Sequence, residues 1–185
     1  MAERDRKTAC NQGNGGRAMT LSSFLSKLLL GRQLDWSEEG VRIVGENFCV
    51  QPIDLLIFLQ NSLKKKDVLY KSAKESFYQF SRKMEMHASS KDVFMKYMLA
   101  LIDHLGFGKI KILELKEKNV KLQLSKNNFA SAYKKNFGRQ KGTVDCILAG
   151  ILAGFFSVYF GVDVECEENF CIAQGKSACS FSVHP

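Results

Sequence analysis

Prolines and long apolar runs are scarce in this sequence. The prolines are Pro52 and Pro185, so the interior of the chain has few forced breaks and suits helices and hairpins joined by short loops. The most hydrophobic stretch, residues 147–160, is shorter than the roughly 20 residues that a membrane-spanning helix needs. The sequence therefore predicts no membrane span.

A secretory leader and a concentrated basic region are also missing. Residues 1–17 are polar, Gly/Asn-rich and charged, which predicts a disordered tail over residues 1–18 and a cytoplasmic protein. The net charge is +8, but lysine and arginine are scattered, and the densest run, Lys64-Lys65-Lys66, is short. Because no nucleic-acid recognition motif accompanies the charge, specific nucleic-acid binding is not expected, and weak attraction to anionic surfaces fits better.

The pattern of apolar residues predicts one α+β domain over residues 19–185. Helical spacing is found before and between two stretches of alternating residues, which indicates helices packed on an antiparallel sheet. Gly150 and Gly154 are expected to let the most apolar helix approach the sheet closely. The predicted helices are 21–30, 53–63, 68–86, 92–105, 127–137 and 143–160, and the predicted strands are 41–44, 48–50, 110–115, 120–124, 162–164 and 181–183.

Four cysteines crowd the end of the chain: Cys146, Cys166, Cys171 and Cys179. Cysteines of a cytoplasmic protein stay reduced, so clustered ones favour a metal over disulfides. Cys146 falls in the first turn of a predicted helix, where the helix dipole should favour its thiolate. Zinc takes about four thiolate, imidazole or carboxylate ligands. Spacing leaves the fourth ligand open between Cys166 and Glu168, and it also allows all four cysteines to be plain core residues.

The segment 161–183 resembles the end of 4-vinyl-reductase-type (V4R) domains, and the likeness extends over residues 106–184. The residues that carry it are Glu168, Cys171, Ala173, Gly175, Cys179, Phe181 and Val183, with Cys146 at the position of a further family cysteine. The resemblance implies that zinc, in a structural role, is bound by Cys146, Glu168, Cys171 and Cys179. It also implies a twisted antiparallel sheet packed with helices, a fold shared with Golgi transport-particle subunits and haem-based sensors, and often a homodimer.

This resemblance implies a module that binds a small hydrophobic molecule, such as a hydrocarbon, an aromatic compound or a lipid, and that acts as a sensor or carrier. The ligand would sit between the helices and the sheet, although the same helical spacing also predicts simple burial in a core. The candidate lining residues are Phe94, Tyr97, Met98, Phe129, Tyr133, Phe155 and Tyr159.

Three other functions remain as alternatives. An assembly subunit like the transport-particle proteins would use the fold for protein contacts. A vinyl reductase is disfavoured, because the sequence has no dinucleotide-binding glycine motif and a zinc ion with four protein ligands leaves no position for substrate. A haem sensor would need an axial histidine, for which His104 is the candidate.

Overall fold

The structure is a computed structural model that describes residues 33–38, 40–63 and 65–185. The predicted tail over residues 1–18 and the predicted helix 21–30 lie outside these residues. The helices are α1 (Ile53–Leu63), α2 (Lys66–Met86), α3 (Lys91–Ile102), α4 (Asn128–Phe137) and α5 (Cys146–Phe160). The strands are β1 (Leu34–Ser37), β2 (Gly40–Ile43), β3 (Glu46–Phe48), β4 (Gly108–Lys116), β5 (Asn119–Asn127), β6 (Glu165–Phe170) and β7 (Cys179–His184).

The larger sheet is antiparallel, with the strand order β4-β5-β7-β6. Buried Val120, Leu122 and Leu124 alternate along β5 with more exposed residues, and Val120 lies opposite Val183 of β7. One face of the sheet therefore lies on the helical core, which confirms the predicted α+β fold with helices packed on an antiparallel sheet.

A second sheet of three short antiparallel strands has the order β1-β2-β3. Its buried anchor is Ile43, which shares a small apolar cluster with Leu101 of α3. Strand β1, Leu34–Ser37, was not predicted, because its apolar and polar residues alternate over only four positions, the lower limit for a strand pattern.

Helix α5 is buried on all sides from Leu148 to Val158 and packs closely against α2. The expectation that its glycines face the sheet is wrong. An added Cβ at Gly150 would lie 2.3 Å from the carbonyl oxygen of Tyr70, and one at Gly154 would lie 2.3 Å from that of Lys74. The two glycines therefore bring the backbones of two helices together.

Most element boundaries differ from the sequence-based prediction by one to three residues, and two of the differences have a clear physical cause. Helix α3 ends at Ile102 and continues as a wide turn, Asp103–Phe107, in which Gly106 adopts a φ of 93°. The strand predicted at 162–164 instead begins at Glu165, after Gly161 has ended α5 in the left-handed conformation. Among the described residues, no helix combines the length and apolar character needed to cross a membrane.

Candidate metal centre and neighbouring cavities

The end of β6, the following turn and the start of β7 bring together Glu168, Cys171 and Cys179. One ligand atom from each residue lies within 4.8 Å of the other two. Both cysteines are fully buried, and their sulfur atoms are 3.6 Å apart. Two sulfurs and a carboxylate at this separation form a set of donors that suits a metal ion.

The carboxylate of Glu168 is held in place by the backbone before α5. Its Oε2 accepts hydrogen bonds from the amides of Val144, at 2.9 Å, and Asp145, at 2.8 Å. Its Oε1 is buried and has no hydrogen-bond partner. A buried polar atom without a partner costs about 1–3 kcal/mol, and a cation beside the two sulfurs would remove that cost. The residues present therefore fit a divalent metal.

A tight turn sets the positions of the two sulfur atoms. Cys171 caps the short 3-10 turn Ile172–Gln174, and its Sγ accepts a hydrogen bond from the amide of Ala173 at 3.4 Å. The amide of Ile172 donates to Cys179 Sγ at 3.3 Å. Amide donors of this kind favour sulfur in its anionic form, which is the form that binds metal.

The three groups also influence one another electrostatically. The hydrogen bond from the Cys179 thiol lowers the pKa of Cys171, and the same bond raises the pKa of Cys179. Burial, reinforced by the neighbouring Cys171, raises the pKa of Glu168. Burial and mutual repulsion therefore oppose ionisation of all three groups at once, and a bound cation would favour their ionised forms.

Cys146 lies at the start of α5, outside this group of three. Its Sγ donates to Gln60 Oε1 at 2.9 Å. The expectation that the helix dipole would favour the thiolate is wrong, because burial, with the nearby Asp145, raises the pKa of Cys146 to about 11. Cys166 is buried on β6 and is also outside the group.

The seven predicted lining residues lie in or beside the apolar core. Phe94 and Phe155 meet edge to face with their ring centroids 5.4 Å apart, and Tyr97 and Tyr159 are half-buried. The buried members are Phe94, Met98, Phe129, Tyr133 and Phe155. These side chains fill the interior in the present conformation.

The larger cavity, of about 920 Å³, is a groove between α2 and the end of α5. On its floor Lys74 Nζ lies 2.8 Å from both Asp163 and Glu165, and the hydroxyl of Tyr70 donates to Glu165. The groove also includes Tyr78, Val158 and Val162. A smaller cavity of about 570 Å³ includes Tyr159. The sequence contained a signal for the groove, since Tyr70, Lys74 and Tyr78 recur at helical spacing, but sequence reasoning did not use it.

The comparisons with known proteins support the predicted resemblance. The model of the V4R domain matches residues 130–185, which include α5 and the metal-binding cluster. No curated protein matches the chain. A crystal structure of the phenol-responsive sensory domain of the transcription activator PoxR, bound to phenol, is similar to this chain with a TM-score of 0.76 and 14% identity over 91% of each chain.

Two other solved structures share the fold. A vinyl-4-reductase family protein from Methanocaldococcus jannaschii has a TM-score of 0.54 and 22% identity, covering 91% of this chain and 98% of its own. A trafficking protein particle complex subunit 3 from Naegleria fowleri, covalently bound to palmitic acid, has a TM-score of 0.51 and 13% identity, covering 71% of this chain and 93% of its own. The V4R and transport-particle resemblance, and the fold that it implies, are thus confirmed.

Proposed function

We propose that this protein is a zinc-containing module that binds a small hydrophobic or aromatic molecule and serves as a sensor or carrier. The observation that carries the proposal is the likeness to the phenol-responsive sensory domain over nearly the whole of both chains. A small ligand would sit between the helices and the sheet, where apolar side chains provide most of the contact.

In this proposal zinc is bound by Glu168, Cys171, Cys179 and Cys146. The first three already lie together, and the thiol of Cys146 would leave Gln60 to become the fourth ligand. Four protein ligands make the role structural. The metal would fasten the turn between β6 and β7 to the start of α5, to which Glu168 is already hydrogen-bonded.

The zinc site is tested by elemental analysis of protein purified without added metal. We expect about one zinc per chain, since the donor set is that of a structural site. Cys171→Ser should lose the metal and melt at a clearly lower temperature, whereas Cys49→Ser, at an exposed free cysteine, should keep both. Well-folded protein without metal would overturn the zinc proposal. Cys146→Ser and Cys166→Ser, compared side by side, identify the fourth ligand.

The ligand is proposed to contact the seven predicted residues after a rearrangement of the aromatic core. Among these seven residues, Tyr97 and Tyr159 have side chains that are partly exposed to solvent. The groove between α2 and α5 offers a second place, with the rings of Tyr70 and Tyr78 beside the charged Lys74. A ligand with an aromatic ring and a hydroxyl group would suit either place.

Titration calorimetry with phenol as the probe tests this part of the proposal. Phe94→Leu, which keeps an apolar side chain but removes the aromatic ring, should weaken binding at least several-fold if the ligand lies in the core. Tyr78→Ala, in the groove, should leave binding in the core unchanged. The reverse pattern would overturn the core location. If neither phenol nor a panel of apolar aromatic and fatty-acid probes binds saturably, the binding function itself is overturned.

A second candidate is an assembly subunit, favoured by the likeness to the trafficking-complex subunit. We also propose a homodimer, which the V4R resemblance implies for a sensor and for an assembly subunit alike, and light scattering coupled to size-exclusion chromatography measures it directly. A stable complex with a different protein, together with no saturable binding of the aromatic and fatty-acid probes, would favour the assembly role.

A further inference from the structure

The outward side of α1 is apolar. Leu55, Phe58, Leu59 and Leu63 are exposed by 54%, 49%, 44% and 44% of their surface. They recur at helical spacing, so they share one side of the helix, opposite the buried Ile57. Apart from a contact of Phe58 at one edge, the described residues leave about half of each of these four side chains exposed, and we call the four the outer α1 face. A contiguous exposed apolar surface of this kind marks a place of contact with something else.

Lysines lie at two borders of the outer α1 face. Phe58 contacts Phe137 of α4, with ring centroids 5.2 Å apart, and the last turn of α4 carries the exposed Lys134 and Lys135. At the other border, the exposed Lys65 and Lys66 stand at the start of α2, where Lys66 Nζ donates to the carbonyl oxygen of Thr143 at 2.6 Å.

Acidic residues are few in the same region. They are Asp54, in the first turn of α1, and Asp67, in the first turn of α2. Asp54 also faces the amide of Asn136, with 3.4 Å between their polar atoms. The outer α1 face is thus an apolar surface within a predominantly positive border.

We propose that the outer α1 face rests on the surface of an anionic lipid membrane. Leucine and phenylalanine side chains would enter the boundary between headgroups and acyl chains, and the lysines would lie at the level of the phosphates. The contact is peripheral, because α1 has 11 residues and lies along the surface of the domain.

The charge of the border favours lipid over a second copy of the chain. A two-fold contact places the same surface on both partners, so the lysines of one copy would approach the lysines of the other. Such repulsion opposes association, whereas an anionic surface attracts both borders of the face at once. A lipid surface therefore accounts for the apolar residues and the lysines together.

Co-sedimentation of the full chain with vesicles tests the proposal. We expect binding to phosphatidylcholine vesicles that contain phosphatidylserine, weak binding to pure phosphatidylcholine, and loss of binding as salt rises, since the Debye length is about 10 Å at 0.1 M. Leu59→Ser should weaken binding several-fold. Lys135→Glu should weaken it by at least about five-fold, the equivalent of one lysine contact.

Matched controls are available on the hairpin of β4 and β5. Leu113 is exposed by 52% of its surface, and Lys118 lies in the exposed turn. Leu113→Ser and Lys118→Glu should leave vesicle binding unchanged. The proposal is overturned if the unaltered chain does not bind anionic vesicles, or if the controls weaken binding as much as the α1 and α4 variants. It is also overturned if Leu59→Ser dissolves a dimer in solution without changing vesicle binding. Circular dichroism checks that each variant is folded.

Discussion

Glu168 shows how one side chain can serve the backbone and a metal with different oxygen atoms. Oε2 accepts two amide hydrogens, and Oε1 remains buried without a partner. In Glu168→Gln, the NH₂ group of the amide takes the place of one of the two oxygens. It then points either at the backbone amides of Val144 and Asp145 or at the sulfur atoms of Cys171 and Cys179.

We expect Glu168→Gln to weaken zinc binding and so to lower the free energy of unfolding of the zinc-loaded protein by about 1–3 kcal/mol, because a neutral amide replaces the carboxylate ligand. Urea unfolding of zinc-loaded protein measures this loss. Metal-free protein should change little, because burial already raises the pKa of Glu168 and favours its neutral form. Glu167→Gln, on the exposed neighbour in the same strand, is the control and should change the free energy of unfolding by less than about 0.5 kcal/mol. Equal effects of the two changes would contradict this account of Glu168.

The surroundings of Cys146 could not be predicted from the sequence. Glu168, Cys171 and Cys179 are close in sequence and are joined by one turn, so a motif could predict their meeting. The partner of Cys146 is Gln60, which lies 86 residues earlier on α1. No spacing within the motif contains that contact, in which the Cys146 thiol donates to Gln60.

Glu165 gives the protein a specific dependence on pH. Burial tends to raise the pKa of Glu165, but hydrogen bonds from Lys74 and Tyr70 outweigh it and lower the pKa below the ordinary value of 4.5. The carboxylate form is the one that these partners bind. Its contribution to stability is therefore complete above pH 4.5 and is lost as the pH falls through the lowered pKa.

We expect the melting temperature of Glu165→Gln to fall less between pH 6 and pH 3 than that of the unaltered protein, because the substitution removes this titrating group. Carboxyl groups titrate in about this range, pH 3–5. Thermal unfolding followed by circular dichroism across that range measures the change. Glu75→Gln, on the solvent side of α2, is the control. An unchanged slope in Glu165→Gln would show that the contact with Lys74 and Tyr70 does not stabilise the fold.

At the scale of elements, the contact of α5 with α2 depends on the absence of two side chains. A Cβ at Gly154 would lie 2.3 Å from the Lys74 carbonyl oxygen and 2.8 Å from the Tyr78 amide nitrogen. Both are backbone atoms within a helix, so they cannot turn aside as a side chain could.

We expect Gly154→Ala to lower the free energy of unfolding by about 2–3 kcal/mol, because overpacking outweighs the gain in helix propensity of about 1 kcal/mol. Urea unfolding measures the difference. Gly142→Ala is the control, since no atom lies within 4 Å of the added Cβ, and it should be nearly neutral. A stabilised Gly154→Ala protein would mean that the two helices are further apart than described.

Helices were easier to predict than edge strands. The helix predicted over residues 53–63 has the same bounds in the structure, because Pro52 precedes it and leucines recur at helical spacing, although Leu55, Leu59 and Leu63 are exposed. In β6, by contrast, Cys166 is the fully buried residue and the others are half or fully exposed. The bounds of such an edge strand are set by its pairing with β7, and the sequence of β6 alone does not reveal that pairing.

At the scale of the whole molecule, the described residues form two apolar clusters of unequal size. The larger includes the interior of α5 and one side of β5 and β7, whereas the smaller has Ile43 and Leu101 as its buried members. The three strands β1 to β3 are thus attached to the domain through few buried contacts.

We expect backbone amides of β1–β3 to exchange with solvent faster than those of β5 and β7, because regions with little buried apolar surface open locally at a smaller free-energy cost. Hydrogen exchange followed by mass spectrometry measures this along the chain. The amides of α5 provide the internal reference for global unfolding. Equal protection in both sheets would indicate that the two clusters unfold as one unit.

The position of β7 has a consequence for biosynthesis. This strand lies between β5 and β6, although it follows both in the sequence. While a ribosome is still translating the codons of β7, β5 lacks the strand that joins it to β6, and Cys171 has no Cys179 beside it. The sheet and the metal-binding cluster can therefore form only after the nascent chain is extended through residue 184 and released far enough to pair, in a single late step.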